Sequence, residues 1–151
     1  MWYMKPVTVS IDVPQPPEQV YDFLDVMANH ESFTNHYMTD WAFAGPDRGV
    51  GARATATVTL VGKVAVAIEV VEAQFPRSIV EQNTSANGRR VARGSYVLDP
   101  LPGAGTCVSF EYAWLRAPLP DRLLSPITRA VIRRANQSAM TRMAADLVKR
   151  G

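Results

Sequence analysis

Between His36 and Ala117 the sequence is a run of alternating segments cut by turns, and a single long helical segment is all that follows. No other feature constrains the fold as much. "HYMTDWAFAG" leads into the turn-rich "GPDRGVG"; "ARATATVTLV" and "KVAVAIEVVEAQF" meet at Gly62. "SIVEQNTS" and "RVARGSYVLD" meet at Asn87-Gly88, a strong hairpin signal, and "PLPGAG" turns into "TCVSFEYAWLRA". This pattern predicts six strands in an antiparallel meander. One face of such a sheet must be covered, and only one long helix, Pro120 to Arg150, is available to cover it. Pro126 falls near the start of that helix, where it can split off a first turn.

A seventh strand precedes the meander. In "VTVSIDV", Val7, Val9, Ile11 and Val13 share one face, and Thr8, Ser10 and Asp12 share the other. Pro14, Pro16 and Pro17 then forbid its extension, because proline cannot donate to a ladder. Proline suits a first helical turn, Glu18 favours the positive end of a helix, and Val20, Phe23 and Leu24 form a short apolar stripe. A second short helical piece is expected around Val26 to Phe33.

The faces of the strands follow from their charges. With Glu69, Arg93 and Glu111 in solvent, the inner face carries Val64, Val66, Ile68 and Val70, then Ala92, Gly94, Tyr96 and Leu98, then Val108, Phe110, Tyr112 and Trp114. On the long helix Ile127, Val131, Ala135, Ala139, Met143 and Leu147 recur every four residues. Such a row winds about 40° per step around a helix of 3.6 residues per turn, as a helix lying across a twisted sheet requires. Its ends are large (Leu124, Ile127, Val131; Met140, Met143, Leu147), and its middle is small (Ala135, Asn136, Ser138, Ala139).

Tyrosines and a tryptophan on an inner face can simply fill a core. A curved sheet, one helix and a small helix centre together predict a cavity instead, since an empty void would forfeit packing energy. The candidate ligand-binding residues are Val66, Ile68, Tyr96, Phe110, Tyr112 and Trp114 on the sheet, with Ala135, Ala139 and Met143 on the helix.

Composition excludes much else. The chain of 151 residues is 47% apolar and 20% charged, with a net charge of +2, which fits one domain spanning 1–151. No apolar run reaches a membrane span and "MWYMKPVTVS" has no signal-peptide pattern, so stable membrane insertion is not expected. Cys107 is the lone cysteine, which points to a reduced, cytoplasmic setting and leaves the "NTS" sequon at 83–85 without meaning. With one Cys and two His, no metal site and no cofactor is expected. Residues 119–151 hold seven Lys/Arg against two Asp, but spread around the helix without a nucleic-acid motif, so they read as a solvated face.

The whole chain resembles the START/Bet v 1-like (SRPBCC) superfamily, in particular the bacterial polyketide cyclase/dehydrase and lipid-transport-like proteins. The resemblance rests on "IDVPQPPEQVYDFLDVMANHESF", "VGARATATV" with "IEVVEAQFPRSIV", "YVLDPLPGAGTCVSFEY" and "MTRMAADL". It implies an α+β helix-grip fold: a seven-stranded curved antiparallel sheet wrapped around a long C-terminal helix, with two short helices after the first strand. It implies a small hydrophobic ligand (a lipid, polyketide or isoprenoid) in the cavity, with Phe33 as an aromatic plug where relatives carry Trp. The alternatives it leaves are a cyclase or dehydratase using the same cavity, and a regulatory or toxin-like protein acting on a macromolecule. For the enzyme, Tyr96, Tyr112, His36 and Asp40 are the candidate proton donors, acceptors or orienters.

Overall fold

The computed structural model describes residues 3–150, so Met1, Trp2 and Gly151 of the expected 1–151 domain lie outside the described residues. Strand β1 (Val7–Val13) is followed by helix α1 (Pro17–Asp25), a 3-10 turn at Met27–Asn29 and helix α2 (His30–Thr34). Six strands come next: β2 (Met38–Ala44), β3 (Arg53–Val58), β4 (Val64–Gln74), β5 (Ser78–Ser85), β6 (Arg90–Pro100) and β7 (Thr106–Arg116). Helices α3 (Leu119–Leu123) and α4 (Ser125–Arg150) end the chain. The strands form one antiparallel sheet in the order β1-β7-β6-β5-β4-β3-β2.

That order explains the prolines. β1 and β2 are consecutive in the chain yet occupy opposite edges, so the segment between them must leave one edge and reach the other. Pro14, Pro16 and Pro17 end the first strand, and Pro17 opens α1 at a position where its missing N–H is no loss. The elbow passes close to the β6–β7 turn: a Cβ on Gly105 would stand 2.6 Å from the Val13 carbonyl oxygen. Thr106 Oγ1 donates to the Gln15 carbonyl at 2.8 Å and ties the elbow down. α1 buries Val20, Phe23 and Leu24, as the stripe predicts, and Tyr21 besides.

The inner face is the predicted one. Val66, Ile68, Val70, Ala92, Tyr96, Leu98, Val108, Phe110 and Trp114 are buried, while Glu69 and Glu111 are exposed. At the β5–β6 turn Asn87 and Gly88 both take positive φ (56° and 81°), the conformation that this pair tolerates best.

The C-terminal segment splits near its start, as Pro126 allows, and one expectation about it needs correction. It is two helices, because the chain leaves helical geometry at Leu124 (φ −106°, ψ 30°). Pro126 cannot donate to the Arg122 carbonyl and its ring would crowd that carbonyl, so a continuous helix is disfavoured there. The correction is that the large residues Leu124 and Ile127 are not buried; they are 53% and 61% exposed. The basic residues are partly used in anchoring: Arg129 donates to the carbonyls of Lys5 and Pro6, and Arg142 to Asn35 Oδ1 at 2.6 Å. Arg150 donates to Asn29 Oδ1 at 2.9 Å.

Candidate functional site

Between α4 and the inner face of the sheet lies a cavity of about 380 Å³. Its apolar walls come from Phe33 of α2, Val66 and Ile68 of β4, Phe110 of β7, and Ala139 and Met140 of α4. Gly94 of β6 makes room for this wall. A Cβ there would lie 2.8 Å from Phe110 Cζ and 3.3 Å from Glu81 Cγ, so the missing side chain lets both groups lie over the strand.

The polar part of the wall is organised by β5. Glu81, Asn83 and Ser85 alternate along that strand and all face the cavity. Glu81 stands beside Val70 of β4 and Gly94 of β6, neither of which offers a polar side chain. Its Oε2 is buried with no hydrogen-bond partner among the described residues, and Asn83 Oδ1 is in the same condition. Burial pushes the Glu81 carboxyl up to about 7. Burial and the charge of Glu81 both raise the phenols of Tyr37 and Tyr96, and burial pushes Tyr112 up to about 12. All three tyrosines are therefore neutral hydrogen-bonding groups at physiological pH. His30 also lines the cavity; its Nε2 donates to the Leu24 carbonyl at 2.7 Å, and burial lowers its pKa, so it is held neutral.

The cavity opens at one end. Val61 of the β3–β4 turn is 79% exposed, and together with Leu60, Leu124 and Ile127 it forms an apolar mouth. Arg90 and Asp121 also reach the cavity and close a bidentate pair, Nε to Oδ2 at 2.7 Å and Nη2 to Oδ1 at 2.8 Å. Arg90 Nη1 donates in addition to Ser85 Oγ at 3.2 Å. The pair ties α3 to the start of β6, and the hydrogen bonds to Asp121 hold the guanidinium pKa up.

Of the residues predicted from sequence, Phe33, Val66, Ile68, Tyr96, Phe110, Tyr112, Trp114 and Ala139 stand on the cavity wall. Four do not. Ala135 is turned away and lends its carbonyl to His36 Nε2 at 3.1 Å. Met143 is fully buried in the packed core beyond the cavity. His36 does not line the cavity and spends its Nε2 on that bond, and Asp40 is exposed at an irregularity of β2 with φ 57°. Sequence reasoning missed His30, Tyr37, Glu81, Asn83, Arg90, Asp121 and Asn136. No local signal marked Glu81: it shares parity with Ile79, but the opposite parity carries Val80.

Comparison with known proteins agrees with this architecture. Residues 4–150 match the family described as polyketide cyclase/dehydrase and lipid transport. The chain belongs to this family. In sequence alone, no curated protein matches it. TTHA0849 from Thermus thermophilus superposes over 97% of this chain and 99% of its own, with TM-score 0.75 and 16% identity. Ara h 8.0201 does so over 97% and 99%, with TM-score 0.70 and 11% identity. DynU16, from the dynemicin biosynthetic locus, matches 95% of this chain through 47% of its own, with TM-score 0.65 and 13% identity. Identities this low speak to fold alone. The fold is the helix-grip fold of the START/Bet v 1-like (SRPBCC) superfamily. Among the described residues, no helix is long and apolar enough to cross a membrane.

Proposed function

We propose that this member of the family binds a small hydrophobic molecule, of lipid, polyketide or isoprenoid type, in the cavity between α4 and the sheet. One observation carries the reading: a cavity of about 380 Å³ remains where a helix with a small centre crosses an aromatic-rich sheet face. That volume is in the range of small-molecule sites, and apolar walls with a few placed polar groups are their usual make-up. The lone, free Cys107 fits a reducing, cytoplasmic setting. Native mass spectrometry of the protein purified from its own cells tests the reading. A non-covalent adduct that disappears in the Ala139→Phe variant supports it. A bare wild-type protein that also fails to take up an environment-sensitive apolar dye overturns it.

A second reading is favoured by one specific feature. Glu81, Tyr37 and Tyr96 place proton-carrying groups on the wall of the same cavity, and a carboxyl near 7 is matched to proton transfer at neutral pH. In this reading the bound molecule undergoes cyclisation or dehydration, with Glu81 moving a proton. The two readings separate on Glu81→Gln: an enzyme loses turnover and keeps binding its substrate, whereas a carrier has no turnover to lose.

A further inference from the structure

Glu81 is an unusual residue to find unpartnered. It is 6% exposed, sits at mid-strand on the inner face, and forms neither a salt bridge nor a hydrogen bond among the described residues. The other carboxylate on the cavity wall, Asp121, is fully engaged by Arg90. The titratable groups that feel the charge of Glu81 are the phenols of Tyr37 and Tyr96, and burial alone shifts Glu81 itself, so among the described residues no cation acts on it. A buried carboxyl without a partner costs free energy, and the fold gains nothing structural from it.

Its position along β5 gives a direction. From the mouth inward the wall runs Ser85, Asn83, Glu81, and the next inward residue, Ile79, belongs to the closed core. Ser85 is occupied by Arg90, so the two unmet acceptors, on Asn83 and Glu81, lie at the inner end. The apolar residues Leu60, Val61, Leu124 and Ile127 lie at the outer end.

We propose that the cavity takes an amphiphile polar end first, with a hydrogen-bond-donating head, a hydroxyl or protonated amine, held by Glu81 and Asn83 and an apolar body extending to the mouth. This rests on the ligand-binding reading and adds to it the chemistry of the head and the orientation of the molecule. A hydroxyl donates to the carboxyl whether or not Glu81 is ionised. A protonated amine supplies the cation that the site lacks and holds Glu81 as a carboxylate. A ligand carboxylate is rejected, because two buried anions with no intervening cation repel.

The test is displacement of an environment-sensitive apolar dye at pH 8 by decan-1-ol, decylamine and decanoate, which differ only in the head. On wild-type protein, decan-1-ol and decylamine are expected to bind at least about tenfold more tightly than decanoate. In Glu81→Gln the amine should weaken and decanoate strengthen, so that the gap between them closes. Equal affinity for all three heads on the wild type overturns the assignment without recourse to a variant, so it is decided even if Glu81→Gln fails to fold. The Ala139→Phe variant separates the two levels of inference. If it abolishes binding of heads that bind equally well to the wild type, the cavity reading stands and the head-group assignment falls. If it leaves decan-1-ol binding unchanged, the molecule binds elsewhere and both fall.

Discussion

The two halves of α4 carry the same four-residue apolar row and meet different fates. In the C-terminal half, Met140, Met143 and Leu147 are 2%, 0% and 1% exposed, and Arg142 and Arg150 bind Asn35 and Asn29 at the two ends of α2. In the N-terminal half, Ile127 is mostly exposed and Val131 and Ile132 are only half-buried, facing the cavity. The difference lies beneath the helix. The C-terminal half rests on α1, α2 and the closed end of the sheet; the N-terminal half crosses the cavity and is held along one side, where Ile132 packs against Met4, Val7 and Trp114 and Arg129 binds the Lys5 and Pro6 carbonyls. Amphipathicity decides which side of a helix is apolar, and the presence of a floor decides whether that side is buried.

The sharpest way to test this contrast is to cut both halves. Met143→Ala should cost about 2–5 kcal/mol, since the residue is fully enclosed and its neighbours cannot all collapse onto the space. Chemical denaturation measures it. A loss below about 1 kcal/mol would mean that the closed end is no better packed than the open one.

The next effect concerns the polar strip on the sheet opposite. Glu81 keeps its proton to about pH 7 when folded and loses it near 4.5 when unfolded. Between those values the folded chain holds the extra proton, so stability falls as pH rises through that window and levels off above it. The full difference is roughly 3 kcal/mol at about 1.4 kcal/mol per unit. His30 acts in the opposite sense. Its folded pKa is lowered, so its contribution is present above the unfolded value of 6.5 and is lost as pH falls. Subtracting the Glu81→Gln profile from the wild-type profile removes His30 and leaves the Glu81 slope. Parallel profiles between pH 4.5 and 8 would show that Glu81 is solvated or paired in solution.

Much of this architecture was legible in the sequence. Alternation located the strands, and Glu69 and Glu111 oriented β4 and β7, because over residues 64–70 and 107–114 the large apolar residues share one parity while each glutamate shares the other with small or polar residues. β5 resisted the same treatment. Its inward parity is Ile79, Glu81, Asn83, Ser85 and its outward parity includes Val80, so hydrophobicity alone does not choose a face. Only the register, Glu81 against Gly94 and Asn83 against Ala92, settles it. The polar half of the site was hidden for that reason. The apolar half was visible through Tyr96, Phe110, Tyr112 and Ala139. Arg90 and Asp121 are distant in the chain and meet through tertiary structure, which no local spacing reveals.

The middle of α4 gives a smaller expected effect on stability and a large one on binding. Ala139 faces the cavity at the boundary between the two halves. Replacing it with Phe should change unfolding free energy by less than about 1 kcal/mol, because the ring has space to enter, whereas overpacking a filled core costs typically 1–3 kcal/mol. Uptake of an apolar dye should be lost. Thermal unfolding and dye titration on the same samples read both quantities. A destabilised variant of a wild type that binds no dye would show the cavity closed in solution.

The smallest effect is expected at the mouth. Ile127 is 61% exposed, so Ile127→Ser removes little buried area and should stay within about 0.5 kcal/mol of wild type. Setting it beside Met143→Ala makes a pair of substitutions in the same helix, one over a floor and one over the opening. The near-zero value carries information because Leu60, Val61 and Leu124 surround the same opening. If that apolar mouth were covered in solution by a second copy of the chain, Ile127 would be buried there and its loss would cost energy. A cost above about 1.5 kcal/mol that shrinks on dilution, with a matching change in sedimentation, would show that the mouth is shut by association. A small cost independent of concentration is the expected outcome, and it leaves the mouth free to admit a ligand.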